Sequence, residues 1–216
     1  MKKNDLRIRK MLEILKAAYP DVKTQLTHNN AFELLVATIL SAQCTDRQVN
    51  AVTPKLFAQL KTPEDFAEVS QKKLESLIRS TGFYHNKAKN IKNCANALIE
   101  NYNGVVPDTI EELVKLPGVG RKTANVVLGA VFGKPAIVVD THVARVSQRL
   151  GLTHQKDATK IEFDLMNVIP KSQWNDFSLW LIYLGRSVCM ARKPDCPHCM
   201  LNRLCEYPKK NKIIID

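Results

Sequence analysis

The sequence has no hydrophobic run long enough to span a bilayer; its apolar stretches are short and interrupted. The basic N-terminus, Met-Lys-Lys-Asn-Asp-Leu-Arg-Ile-Arg-Lys, is not followed by an apolar h-region, so it does not read as a signal peptide and a cytoplasmic protein is expected. No repeat of fixed period and no low-complexity segment occurs in the 216 residues, which argues against a solenoid. Strand-like patterning is nearly absent. Residues 136–139, Ala-Ile-Val-Val, are the one convincing run, and the sequence offers it no partner. Acids are scarce relative to bases, 21 Asp and Glu against 32 Lys and Arg, which leaves a net charge of +11 and a pI near 9.4. Such an excess favours a polyanionic partner, most simply nucleic acid.

What is present is helical patterning in a composition, 45% hydrophobic and 25% charged, that suits a globular chain of one domain or two small ones. Ile8, Met11, Leu12 and Leu15 fall at helical spacing before Pro20. Residues 31–42 are apolar almost all round, as in a buried central helix. Thr62-Pro63-Glu64-Asp65 combines an N-cap, a first-turn proline and first-turn acids. Residues 83–87, Phe-Tyr-His-Asn-Lys, read as a polar-aromatic loop before a helix through Ile91, Cys94 and Leu98, which Asn103-Gly104 closes. Further helices are expected around Val143–Leu150, Ile161–Ile169 and Trp174–Val188. The fold class is all-α.

Residues 116–128, Leu-Pro-Gly-Val-Gly-Arg-Lys-Thr-Ala-Asn-Val-Val-Leu, hold the chain's most informative turn. Gly118 and Gly120 allow positive φ and close backbone approach, and an Ala/Val-rich helix begins at once. The free N–H groups at the start of such a helix lie at the positive end of its dipole and suit a phosphate. Lys122 in the first turn adds a phosphate contact or a reactive amine. Taken by itself, the stretch also fits an ordinary helix–turn–helix corner with a surface lysine.

Four of the six cysteines fall within seventeen residues, Cys189, Cys196, Cys199 and Cys205, in a C-x6-C-x2-C-x5-C pattern. In a cytosolic chain this implies a metal centre, either tetrahedral zinc or a [4Fe–4S] cluster. A zinc ribbon uses two C-x2-C knuckles, whereas only one pair here has that spacing, which suits the cluster. Arg192 and Lys193, between the first two cysteines, sit where a pinned loop grips DNA backbone or simply faces solvent. Cys44 and Cys94 stand apart and are expected as buried apolar fillers.

The stretch from Leu116 through Lys122 to Val126, then Val139-Asp140-Thr141-His142, then the four-cysteine tail together resemble the endonuclease III family, DNA glycosylases with AP-lyase activity in the helix-hairpin-helix superfamily. Leu40-Ser41-Ala42-Gln43 and Asn103-Gly104-Val105-Val106-Pro107 extend the resemblance over nearly the whole chain. It implies two helical lobes flanking a DNA cleft: a six-helix barrel domain with the helix-hairpin-helix over residues 24–134, and a discontinuous domain of residues 1–23 and 135–216 carrying one [4Fe–4S] cluster on the four cysteines. On that basis zinc recedes.

The resemblance also implies Lys122 as the nucleophile and Asp140 as the essential carboxylate. Position supports both roles: a helix N-terminus beside Arg121 is a site of positive potential, and a carboxylate at the next helix N-terminus is held as the anion. The implied reaction is removal of an oxidised pyrimidine from double-stranded DNA, followed by β-elimination that nicks 3′ to the abasic site. The enzyme is expected to act as a monomer near the nucleoid, and the amine's chemistry needs no divalent metal or nucleotide. Gln43, Phe83, Gly118, Gly120, Arg121, Thr123, His142, Arg192 and Lys193 are the implied DNA contacts, Gln43 filling the gap of the flipped nucleotide and Phe83 wedging the opposite strand. Phe83 stands where the family pattern has a smaller aliphatic such as leucine. Adenine-specific relatives lack the lysine and need an acid before Gln43, which residues 36–40 do not offer. The competing reading is a non-catalytic helix-hairpin-helix DNA-binding protein with a structural metal site.

Overall fold

The computed structural model describes residues 3–213, with side chains described from residue 6; the outermost residues of the expected discontinuous domain, 1–2 and 214–216, lie outside the described residues. The fold is all-α, and no strand forms among the described residues. Among the described residues twelve α-helices follow in order: α1 (Lys3–Ala18), α2 (Ala31–Leu40), α3 (Asp46–Gln59), α4 (Pro63–Glu68), α5 (Gln71–Ile78), α6 (Tyr84–Tyr102), α7 (Ile110–Leu113), α8 (Arg121–Ala130), α9 (Thr141–Leu150), α10 (Ala158–Val168), α11 (Trp174–Ser187) and α12 (Glu206–Lys210). No helix of the described residues is long and apolar enough to cross a membrane.

The chain divides into two compact units, one of Thr24–Lys134 and one of Met1–Lys23 with Pro135–Asp216. In the first, α2 is the centre: every residue from Phe32 to Leu40 is buried, and α3, α6 and α8 pack around it. Each large apolar side chain so enclosed contributes roughly 1.5–3 kcal/mol of transfer free energy. Local signals set the helix ends. Thr62 and Asp65 form a reciprocal capping box on α4, and α6 ends on Asn103 and Gly104, both with positive φ.

The start of α6 departs from the sequence expectation. Residues 84–87 are its first turn rather than a loop, because Gly82 (φ +69°) and Phe83 (φ +48°) reverse the chain early and Lys87 N–H already donates to the Phe83 carbonyl at 3.1 Å.

In the second unit α1, α9 and α11 share a core built on Leu15, Val143, Val146, Phe177, Trp180 and Leu181. Trp180 is placed by its indole N–H, which donates to the Tyr19 carbonyl at 3.0 Å. The strand-like run 136–139 stays extended without a sheet. Side chains of α11 substitute for a partner strand: Ala136 N–H donates to Asn175 Oδ1 (2.8 Å) and Val138 N–H to Ser178 Oγ (2.9 Å). This pinned segment delivers Asp140 to the start of α9.

Candidate functional site

The turn between α7 and α8 is built as its glycines suggest, but the two serve different ends. Gly118 has φ +77°, and a Cβ there would lie 2.8 Å from the Cβ of Asn90 on α6. It is glycine because the backbone and the neighbouring helix require it. Gly120, the N-cap of α8, has φ −89° and ψ 174°, and a Cβ there would meet nothing within 4 Å. Neither its conformation nor its neighbours need glycine. No side chain caps the N-terminus of α8, unlike α2, α3, α4, α5, α9 and α10, which all have side-chain caps. Ala124, Val127 and Leu128 bury the inner face of α8, which leaves Lys122 exposed and Arg121 and Thr123 partly so. An uncapped, positive helix end bearing an exposed amine is thereby presented outward.

Asp140 is the N-cap of α9. Its Oδ1 accepts from the N–H groups of His142 and Val143, both at 2.8 Å. Both bonds fall on one carboxylate oxygen and fix the group's direction, while its negative charge meets the positive helix end. His142 is partly buried; Arg145 Nη2 donates to its Nδ1 at 3.3 Å, so in this arrangement the ring's free N–H is at Nε2. Lys122 belongs to the Thr24–Lys134 unit and Asp140 to the other.

Gln43 and Phe83 are both exposed, Phe83 at 63%, which excludes it from the core. Both adopt left-handed backbone, with φ of 52° and 48°. For residues with a Cβ that costs roughly 1–2 kcal/mol each, so the surrounding structure must hold them there.

The four tail cysteines line one hollow of about 360 Å³, its open mouth included, closed off by Val146, Leu184 and Pro208. Arg149 clamps the loop that starts at Cys189. Its Nη1 donates to Cys189 Sγ (3.3 Å) and the Met190 carbonyl (2.7 Å), its Nη2 to the Ala191 carbonyl (3.0 Å), and its guanidinium lies over the Tyr207 ring at 4.5 Å. Arg145 adds bonds to the carbonyls of Cys189 and Gly185. Burial pushes the Cys196 and Cys199 thiols up and that of Cys205 to about 11. Among the described residues no three His, Cys, Asp or Glu side chains converge closely enough to hold a single metal ion. Arg192 and Lys193 stand exposed beside the hollow, Lys193 with φ of 51°.

Of the two remaining cysteines, Cys94 is buried as expected, and burial pushes its thiol up to about 12. Cys44 is only partly buried, because it sits in the polar turn after α2 rather than on its apolar body. Arg145 and Arg149, missed from the sequence, lie one turn apart on α9 and face the cysteine loop; their spacing was visible, but not what they would face. Lys87 was missed because a buried lysine looks no different from a surface one in a list of residues.

The family profile described as HhH-GPD superfamily base excision DNA repair protein matches residues 36–171. The chain is 52% identical to endonuclease III of Synechocystis sp. over 92% of its length and 91% of that protein's. It is 50% identical to endonuclease III of Bacillus subtilis (89% and 88%) and 43% identical to that of Escherichia coli (93% and 97%). A solved structure of a trapped endonuclease III–DNA covalent intermediate is 49% identical and superposes with a TM-score of 0.91 over 96% of this chain and 98% of that one. A thermostable thymine-DNA glycosylase, 25% identical, follows at 0.86 over 94% and 97%. With a family profile over most of the chain and relatives about half identical over nearly its whole length, the chain belongs to the endonuclease III family of the HhH-GPD base excision DNA repair proteins.

Proposed function

We propose that this chain is a bifunctional DNA glycosylase and AP lyase that removes oxidised pyrimidines from double-stranded DNA. The observation that carries this reading is Lys122, an exposed amine in the first turn of a helix whose N-terminus is left open for an anion. A covalent intermediate with DNA, which names a solved endonuclease III complex of 49% identity, requires a nucleophile, and Lys122 is the group so presented.

The Gly118–Thr123 turn binds backbone phosphate while Gln43 and Phe83 engage the duplex where the damaged nucleotide leaves the stack, a step that damage makes cheaper. Lys122 Nζ attacks C1′ and the base departs with the bonding electron pair, taking up a proton. The amine nitrogen gives up one proton, its freed electron pair breaks the C1′–O4′ bond, and O4′ takes up a proton as the sugar ring opens to a protonated Schiff base. Loss of a C2′ proton then expels the 3′ phosphate and nicks the strand, and water releases the lysine. Asp140, aimed by two backbone N–H groups, offsets the positive charge that develops on the deoxyribose or assists the attacking group. His142, Arg192 and Lys193 add backbone contacts.

Cys189, Cys196, Cys199 and Cys205 would hold one [4Fe–4S] cluster. The fit rests on the donor set: four thiols around a single hollow, with buried thiols whose ionisation needs a compensating positive centre. When bound, the cluster supplies a rigid pin for the loop that bears Arg192 and Lys193.

Borohydride trapping on a duplex containing thymine glycol or an abasic site tests the reading. Wild type should form a covalent adduct and Lys122→Gln none. If Lys122→Gln still traps, another amine is the nucleophile; if wild type neither traps nor nicks, the chain is a binding protein only.

A further inference from the structure

Lys87 is the one buried lysine or arginine among the described residues, 4% exposed. Taking an ammonium out of water costs several kcal/mol, and an apolar side chain of similar length would fill the space at less cost. Core packing alone therefore does not account for it. Burial lowers its pKa, and the nearby Cys44 pulls the other way.

Its bonds show what it holds. Nζ donates to the Leu40 carbonyl at 2.8 Å and to the Thr81 carbonyl at 2.7 Å. Leu40 is the last residue of α2, and Thr81 ends the 3-10 turn Arg79–Thr81. Directly beyond each carbonyl the chain runs into a short turn, residues 41–45 in one case and 82–83 in the other. Each turn raises one exposed side chain on left-handed backbone, Gln43 or Phe83. A second tie joins the same regions: Gln48 Nε2, in the first turn of α3, donates to Ser80 Oγ at 2.9 Å.

We propose that Lys87 is a positioning residue for base extrusion, locking residues 41–45 and 81–83 in one fixed relation so that Gln43 and Phe83 meet the duplex together. The inference rests on the proposed function. Neither turn then has to be ordered on binding, a cost that a pre-organised backbone avoids. Chemistry at Lys122 does not pass through Lys87, so the loss on removing it falls on recognition of the distorted duplex.

The test uses the full-length wild type and Lys87→Met, which keeps the length of the arm and removes both donated bonds. A duplex carrying a tetrahydrofuran abasic analogue, with 2-aminopurine as the opposing base, reports unstacking as a rise in fluorescence; nicking kinetics are read on a true abasic duplex. For Lys87→Met we expect KM to rise about tenfold with kcat within about twofold, the pattern of lost uniform binding. The fluorescence rise at saturating protein should fall by more than half. A folded Lys87→Met that matches wild type in both readouts overturns the inference alone. A wild type that neither nicks nor unstacks DNA overturns the functional reading and this inference with it. If Lys87→Met does not fold, Gln48→Ala decides through the second, solvent-accessible tie: a KM raised about twofold or more at an unchanged melting temperature supports the lock, and wild-type behaviour overturns it.

Discussion

Two glycines two residues apart should fail in opposite ways. At Gly118, alanine must adopt φ of +77°, which costs roughly 1–2 kcal/mol, and its Cβ would sit 2.8 Å from Asn90 Cβ and 3.2 Å from its Cγ. Those atoms are the root of a side chain on α6, not a flexible tip, so helix and turn must part, at a further cost of roughly 1–3 kcal/mol. The sum, about 2–5 kcal/mol, corresponds to a fall of about 4–20 °C in melting temperature for a chain of this size. At Gly120 alanine meets no clash and needs no unusual φ. The poorer N-cap costs roughly 0.5–1 kcal/mol, and the stiffer unfolded chain returns a similar amount. Stability should therefore move by less than about 3 °C. Its methyl group, however, occupies the approach to the open end of α8. Loss of one charge-assisted hydrogen bond, roughly 1.5–3 kcal/mol, weakens binding about 10- to 100-fold. Circular-dichroism melts and fluorescence anisotropy with a tetrahydrofuran duplex at fixed salt measure both. A Gly120→Ala protein with wild-type affinity would refute the phosphate role of this helix end, and a Gly118→Ala protein melting within 2 °C of wild type would refute the packing argument, a threshold below the smallest fall expected.

Asp140→Asn and Asp140→Ala should both lower base removal by about a hundredfold or more, but only Ala loses the oxygen that caps α9 and melts about 2–4 °C lower. Equal melting of the two would show that the cap contributes nothing. Replacing Arg192 or Lys193 by glutamine should reduce the slope of log affinity against log salt by about 0.9 each, and an unchanged slope would place that residue off the DNA. Asn175→Ala leaves the buried Ala136 N–H unpaired and should cost roughly 1–3 kcal/mol in a denaturant titration; a loss below about 0.5 kcal/mol would mean the extended segment re-pairs elsewhere.

The sequence by itself determined most helices and many of their ends, the start of α6 excepted, because these follow from chemistry a few residues apart. The near-continuous apolar run of α2, the Thr62 capping box and the Asn103-Gly104 stop are examples. Glycine spacing and thiols close in sequence are local signals too and marked the turn at Lys122 and the four cysteines, whereas the roles of Lys122 and Asp140 are what the resemblance to the endonuclease III family implies. Only the tertiary structure decided how residues 136–139 do without a sheet, because the acceptors for the Ala136 and Val138 N–H groups come from α11, 39 and 40 residues away. It separated Gly118, where a Cβ would collide with Asn90, from Gly120, where a Cβ would meet nothing within 4 Å. It also turned Lys87 from one basic letter among many into a buried tie between two turns, since burial and carbonyl partners 47 and 6 residues away are properties of the packed chain and not of its order.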